Sequence, residues 1–500
     1  LSNEPEQIER PAAPATAKSS GFLTIFPSIM LPMFLAVVDQ TIIATALPAI
    51  VAETGQVERA SWIVVSYLIA ATIAAPIYGR LGDSFGRRRL MFIALILFMV
   101  ASALCAICTT VETLTLARAL QGFGGGGLMT LSQALIGEAV PPRERARYQG
   151  YLAAIAVSAN TFGPIAGGYL TEHFGWQSIF LINIPIGLCG FALTLRLKNP
   201  KVERLPWKAD PGGLVLFTIL VVTTLLALEQ VQHVDLGALP LGAGLFAVSL
   251  FAAAWLIRHE SKAPSPLIPV NLLKQPAIWR ADMMAACHGA ALVSLITFLP
   301  VYLVSVRGIS PSTTGLLLVP LTIGIGTGSL VVGRLVSKTG LTTIFPIYGM
   351  VVATICFVVL AFFASSMSMI PLGALLLVIG AAMGTVMAVV QVTVQTVAGQ
   401  ARLGEAAASV QFSRSIGAGF GTALVATSLF ATLALKNPEA ARAFAAMVEQ
   451  AKHVGPVLTA VQQAAILTNI AEAFRVAFLV IGVFTLVAFF LALTNPLRKI

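Results

Sequence analysis

The chain has 500 residues, 57% hydrophobic and 10% charged, with a formal net charge of +10 and a mean hydropathy of +0.89. A soluble globule carries about a quarter charged residues, so that class is excluded. Apolar runs near twenty residues recur from Phe26 to Thr494, each long enough to cross a hydrocarbon core of about 30 Å and too continuous for barrel strands. The reading is an all-α integral membrane protein.

In chain order, residues 1–20 (LSNEPEQIERPAAPATAKSS) are polar and Pro/Ala-rich and read as a disordered cytoplasmic tail. No short apolar region with a small-residue cleavage site follows, so no removed signal peptide is expected. Spans are predicted at 26–48, 61–80, 90–109, 113–138, 147–170, 176–196, 211–230, 236–257, 281–305, 314–334, 344–364, 370–396, 404–431 and 471–494, fourteen in all. With the N-terminus in the cytoplasm, and basic residues at span edges counted with their loops, cytoplasmic segments hold 23 Lys and Arg and outer segments 5. Arg118, Arg414 and Arg475 lie inside spans. The positive-inside rule then places both termini in the cytoplasm, and the basicity reports orientation and anionic-lipid contact rather than a nucleic-acid partner.

GRLGDSFGRRR (79–89) follows the second span and a weaker copy, GRLVSKTG (333–340), follows the tenth. That repeat divides the chain into an N-terminal six-helix bundle (21–200), a linker with two extra transmembrane helices (201–280) and a C-terminal six-helix bundle (281–500). Two membrane halves facing one another place a ligand site between them near the midplane. The outer segment at about 433–470 is too long for a turn and reads as a hairpin of two short helices joined near Gly455-Pro456. It forms an outer cap in one reading, a gate or docking hairpin in the other.

These motifs carry a resemblance. The chain resembles the major facilitator superfamily, and within it the fourteen-span drug:proton antiporters, over nearly its whole length. Asp39, Thr41, Ala46, Leu47 and Pro48 match the first-span signature, and GRLGDSFGRRR the second-loop signature. LTLARALQGFGGG (114–126) matches the fourth-span signature through Arg118, Gln121 and Gly122, and GPIAGGYL (163–170) the antiporter signature. GWQSIFLINIPIG (175–187) resembles the opening of span six. Ala159 stands where the antiporter signature has a further glycine, and Ser337 where the second loop copy would need the counterpart of Asp83.

The resemblance implies proton-coupled export of amphiphilic or cationic drugs by alternating access, with Asp39 as the proton-carrying carboxylate and Arg118 beside it. Asp39 lies nine residues inside Pro48 and Arg118 five inside the outer end of span four. These are depths of roughly 13 and 7 Å, a gap that an arginine side chain spans. Burial favours a neutral carboxyl and a nearby cation the charged one, so alternating exposure could load and release a proton. A static pair that only orients helices is the competing reading.

Gly79, Gly82 and Gly86 are expected to permit a tight turn, Arg87, Arg88 and Arg89 to anchor at headgroups, and Asp83 to pair locally or reach a helix N-terminus across the interface. In the family this loop latches the outward-open state. Gly124–Gly127 with Gly163, Pro164, Gly167 and Gly168 suit close helix approach, and the resemblance implies a leak-tight antiporter seam. No lysine follows them as in a P-loop.

Cavity residues are expected at Trp62, Tyr67, Gln121, Met129, Asn160, Met383, Met387, Gln391 and Gln411, since aromatics and methionines accept varied apolar shapes and amides orient them. Arg414, ten residues into span thirteen, is either a satisfied buried arginine or an attractor for an anionic group.

Cys105, Cys108, Cys189, Cys287 and Cys356 all lie in apolar runs, where they read as packing residues; no metal site and no cofactor beyond a proton gradient are expected. Two further functions stand beside drug export: export of lipids or lipid-like anions, and a non-transporting scaffold or sensor. No nucleophile–base pair emerges, so an enzyme is not expected. The expected location is the bacterial inner (plasma) membrane. The expected partners are a small amphiphile, protons and lipids, with an envelope adaptor left open and a monomer as the default.

Overall fold

A computed structural model describes residues 22–54, 59, 61–197, 210–232, 239–263, 266–267, 270–437 and 460–500. They are helical almost throughout. In order these are α1 (Phe22–Thr54), α2 (Ser61–Phe85), α3 (Arg87–Ile107), α4 (Val111–Ala139), α5 (Pro142–Phe174), α6 (Ser178–Leu181), α7 (Asn183–Thr194) and α8 (Pro211–Gln232). Then come α9 (Leu239–Glu260), α10 (Val270–Leu273), α11 (Pro276–Ser305), α12 (Pro311–Thr339), α13 (Ile344–Phe363), α14 (Met369–Ala398), α15 (Leu403–Lys436) and α16 (Ala460–Thr494). A helix satisfies its own backbone polar groups, which is why apolar sequence of this length takes this form in lipid. Among the described residues, nine helices are long and apolar enough to cross a membrane.

Every predicted span coincides with a helix, with two corrections. Span six is two short helices, α6 and α7, because Pro185 has no N–H to give the Leu181 carbonyl and its ring crowds that group. The last span begins at Ala460 rather than 471, so the second arm of the predicted outer hairpin is the continuation of α16. The first arm, the Gly455-Pro456 joint and the 1–20 tail lie outside the described residues.

Helix ends follow local chemistry. Thr110 and Ser310 accept from the N–H groups of Thr113 and Thr313 at 3.3 Å and cap α4 and α12. Gly340 ends α12 at φ 73°, and Gly86, at φ 101°, turns α2 into α3.

Two large clusters of buried apolar side chains form, one from Ile29 to Leu197 and one from Leu272 to Ala492. The α8–α9 pair touches both sides: Phe217 and Val221 pack with Ile73 of α2 and Phe412 of α15. Asp210 accepts from the Gly213 N–H at 2.9 Å and lies 2.8 Å from His259 Nε2, tying the start of α8 to the end of α9.

Contact between the two sides concentrates at the end carrying the 79–89 loop. A methyl group at Gly79 would stand 2.6 Å from the Gly404 carbonyl oxygen, and one at Gly333 would stand 2.5 Å from that of Ala146. So α2 meets the start of α15, and α12 meets the start of α5. The leading glycines of the two copies of the loop motif make equivalent contacts.

Candidate functional site

Asp39, halfway along α1, has no solvent exposure and Arg118 of α4 has 1%. Arg118 Nη1 donates to Asp39 Oδ2 at 2.5 Å. Asp39 Oδ1 accepts from Gln121 Nε2 at 2.7 Å and from Asn183 Nδ2 at 2.8 Å. Ser102 Oγ of α3 accepts from the same two amides at 2.8 and 3.3 Å and donates to the Phe98 carbonyl. Arg118 also donates to Gln121 Oε1 at 2.7 Å and to the Ile63 carbonyl at 3.3 Å. The Tyr67 ring lies 4.3 Å from its guanidinium carbon and the Phe180 ring 5.8 Å. A charge pair removed from water survives only when its remaining lone pairs and protons find partners, and these side chains supply them. Side chains of α4 and α7 reach the carboxylate of α1 directly, and α2, α3 and α6 hold those side chains in place. Protonation of Asp39 would cancel its attraction to Arg118, the ionic tie between α1 and α4.

The helix break at Pro185 positions one of these donors: it opens α7 at Asn183, whose amide enters the network. Tyr67 and Gln121, expected on the cavity wall, are 1% and 0% exposed and belong to this network instead. In a helix that is apolar all round, residue type does not fix direction.

The loop motif also differs from expectation in detail. Only Gly86 makes a turn; Gly79 and Gly82 are inside α2, where their missing side chains admit Gly404 and Leu131. Arg87 is 4% exposed rather than at a headgroup. It bonds to Asp83 and Glu138, the latter at 2.6 Å, and donates to the Gln400 carbonyl at 3.2 Å. Arg88 donates to the Thr194 and Leu195 carbonyls at 3.3 and 2.8 Å. Asp83 accepts from the first-turn amides of α15, and Arg80 pairs with Glu405 on the same turn. Gln395 Nε2 donates to the Gln133 carbonyl at 3.0 Å beside them. Four ionic or polar ties therefore cross between the two sides at one end.

Along the antiporter signature, Gly163 and Gly167 receive Thr41, Thr45 and Ile42 of α1, within six residues of Asp39. Thr41 Oγ1 donates to the Ala159 carbonyl at 3.5 Å, where the signature's further glycine would stand. Gly168 faces open space, so the seam uses two of the three glycines. Pro164 sits inside α5 and is partly buried. Gly122, Gly124 and Gly126 receive Tyr67, Phe98 and Ala71.

Of the remaining cavity residues, Trp62 is 40% exposed and Asn160 is exposed, while Met129 is buried and lies 3.8 Å from Gln40 Nε2. Met383 is fully buried in the second cluster and Met387 packs against it. Gln391 and Gln411 are buried at 2% and 8% exposure. Arg414 is partly exposed, and neither arrangement expected to satisfy it is present: among the described residues it has no carboxylate partner and no hydrogen bond. A cavity of 340 Å³ opens elsewhere, between Tyr302, Ala364, Glu472 and Arg475, and none of the expected cavity residues lines it.

Comparison with known proteins decides the family. The model of the Major Facilitator Superfamily matches residues 29–422. The chain belongs to that superfamily. It is 34% identical over 407 residues to the uncharacterized MFS-type transporter Rv1877 of Mycobacterium tuberculosis, covering 80% of this chain and 58% of that one. The chain thus spans under two thirds of that relative's length. It is 31% identical to the multidrug transporter protein MdtP of Bacillus subtilis, covering 82% and 75%. Among solved structures it is similar to the human organic anion transporter MFSD10, with a TM-score of 0.65, 14% identity, and 94% and 99% of the two chains covered. The proton:xylose symporter XylE gives a TM-score of 0.63 at 14% identity over 96% and 98%. Those two likenesses carry the fold alone.

As a member of the Major Facilitator Superfamily the chain is a multi-pass membrane protein of a transporter family. Among the described residues no group of His, Cys, Asp and Glu could hold a metal ion. Of the five free cysteines three are buried; Cys108 is partly exposed and Cys189 exposed. Sequence reasoning missed Asn183 and Ser102. The available signal for Asn183 was an amide two residues before a proline in the otherwise apolar run FLINIPIG.

Proposed function

We propose that this transporter is a fourteen-span proton antiporter that exports amphiphilic or cationic small molecules from the cytoplasm by alternating access. The observation that carries the reading is the environment of Asp39: a fully buried carboxylate held by three side chains from two other helices, α4 and α7. A proton taken up there changes what holds α1 to α4. The chemistry is therefore coupled to helix packing rather than to a passive pore. The ties at the 79–89 loop support assignment of the present form to the state closed towards the cytoplasm and open outward. The six-helix halves, the inserted pair α8–α9, cytoplasmic termini, a bacterial inner-membrane location, a monomer and an optional envelope adaptor are part of the same proposal.

The test is proton release from purified protein in weakly buffered detergent solution on addition of a cationic amphiphile. Release from the wild type and none from Asp39→Asn supports antiport. Equal release from both would end the assignment of the proton to Asp39. A second reading, export of anionic amphiphiles, is favoured by the unpartnered Arg414.

A further inference from the structure

Deep in the second half, cationic and polar groups stand without partners. Arg414 lies eleven residues into α15 and His288 twelve residues into α11, a shared depth of roughly 17 Å from the loop end. The two helices touch there. A methyl at Gly289 would stand 3.2 Å from Arg414 Cγ, and Gly417 abuts Ala286 one turn on. His288 is 4% exposed, and neither ring nitrogen has a partner at hydrogen-bond geometry, although the ring lies against the Met383 backbone. Met383 of α14 adjoins it, and Met387 and Gln391 follow along α14 at spacings of four. Gln391 is 2% exposed with both amide atoms unsatisfied.

The acids on these helices lie nearer the loop end and none forms an ion pair with Arg414; Asp282 Oδ2 is itself buried without a partner. Glu405 is paired with Arg80, and Asp282 Oδ1 accepts from Ser409 Oγ at 3.4 Å. Asp39 is held by Arg118 in the other half. A guanidinium with no counter-ion at this depth costs several kcal/mol unless an anion visits it. Its planar fork suits an oxyanion in bidentate fashion.

We infer that Arg414, with His288 beside it, is a binding site for the carboxylate or phosphate of an amphiphile, whose apolar body lies along Met387. This inference rests on the transport reading above and deepens its second form, export of anionic amphiphiles, by naming the site that would take the acidic group. The proton site and the anion site are then on opposite halves. Neither substrate nor proton need displace the other from a shared carboxylate.

The test uses the full chain in phosphatidylcholine nanodiscs and matched aromatic probes: naphthalene-2-carboxylate, its neutral amide, and dodecyl phosphate. Naphthalene-2-carboxylate should bind about tenfold more tightly than the amide, and Arg414→Gln should remove that preference without changing amide affinity. Arg414→Lys should keep part of it, which separates lost charge from lost folding. Dodecyl phosphate binding more tightly than the carboxylate would assign the site to phosphate headgroups; the reverse would assign it to carboxylates. Equal binding of acid and amide by the wild type, or a preference that survives Arg414→Gln, overturns the inference. If the preference is absent while Asp39-dependent proton release persists, only the anion site falls; if acid binds but no substrate releases protons, antiport falls and the site stands.

Discussion

Asp83, near the end of α2, caps a helix that begins some 320 residues later: its Oδ1 accepts from the Gly404 N–H at 2.9 Å and its Oδ2 from the Glu405 N–H at 3.0 Å. A carboxylate at a helix N-terminus satisfies orphan amides and meets the positive end of the macrodipole. Because α2 packs on one buried cluster and α15 on the other, this bond requires the two sides to meet at the loop end.

Asp83→Ala should therefore destabilise the closed loop end by about 2 kcal/mol, a shift of roughly thirtyfold in the closed-to-open ratio. Spin labels at Phe85 and Arg402, both on exposed side chains, read the separation in a background free of native cysteines. A longer-distance population should grow in Asp83→Ala. An unchanged distance distribution would mean the cap holds nothing shut.

The Asp39–Arg118 pair makes a prediction about stability that differs from one about transport. Arg118→Gln leaves a buried carboxylate facing two amides and no cation, which should cost about 3–5 kcal/mol. Adding Asp39→Asn removes the orphaned charge, so the double variant should recover most of that loss in thermal unfolding while releasing no proton. A double variant no more stable than Arg118→Gln would show that the pair is not the source of the cost.

The antiporter signature yields a comparison between adjacent glycines. A methyl at Gly167 would stand 2.6 Å from the Ile42 carbonyl and 2.8 Å from Ile42 Cγ1, whereas one at Gly168 meets nothing within 4 Å. Gly167→Ala should push α5 off α1 at a cost of about 1–3 kcal/mol and raise passive proton leak in liposomes. Gly168→Ala should leak no more than the wild type. Equal leak from both variants would separate tightness from this seam.

The ion pair and the cap were legible because a charge in an apolar run demands a partner. Asp39, Arg118 and Asp83 are conspicuous for that reason, and Asp83 meets the helix N-terminus that its chemistry suggests. Neutral polar residues were harder. Gln121 and Tyr67 could as well line a cavity as serve a buried acid, since helices that are apolar on every side leave rotation undetermined. Asn183 acquires its direction from a break at Pro185, a consequence of proline geometry that counting apolar residues overlooks. Gly79 and Gly82 read as turn residues because glycine serves turns and close approach alike, and only the packing of α15 against α2 distinguishes them.

Voltage distinguishes the substrate classes. If a monovalent cation leaves for each entering proton, no net charge moves and only the pH gradient drives transport. If Arg414 instead carries a monovalent anion outward against one inward proton, two elementary charges move in the same electrical sense. Each is worth about 2.3 kcal/mol per 100 mV, so the anion route gains roughly twice that from a cell-like potential. In inverted vesicles, collapsing the voltage with potassium and valinomycin at constant pH gradient should leave cation uptake unchanged and slow uptake of naphthalene-2-carboxylate. Arg414→Gln should abolish the voltage-sensitive component. Carboxylate uptake that ignores voltage in the wild type would contradict one-for-one exchange of this anion for a proton.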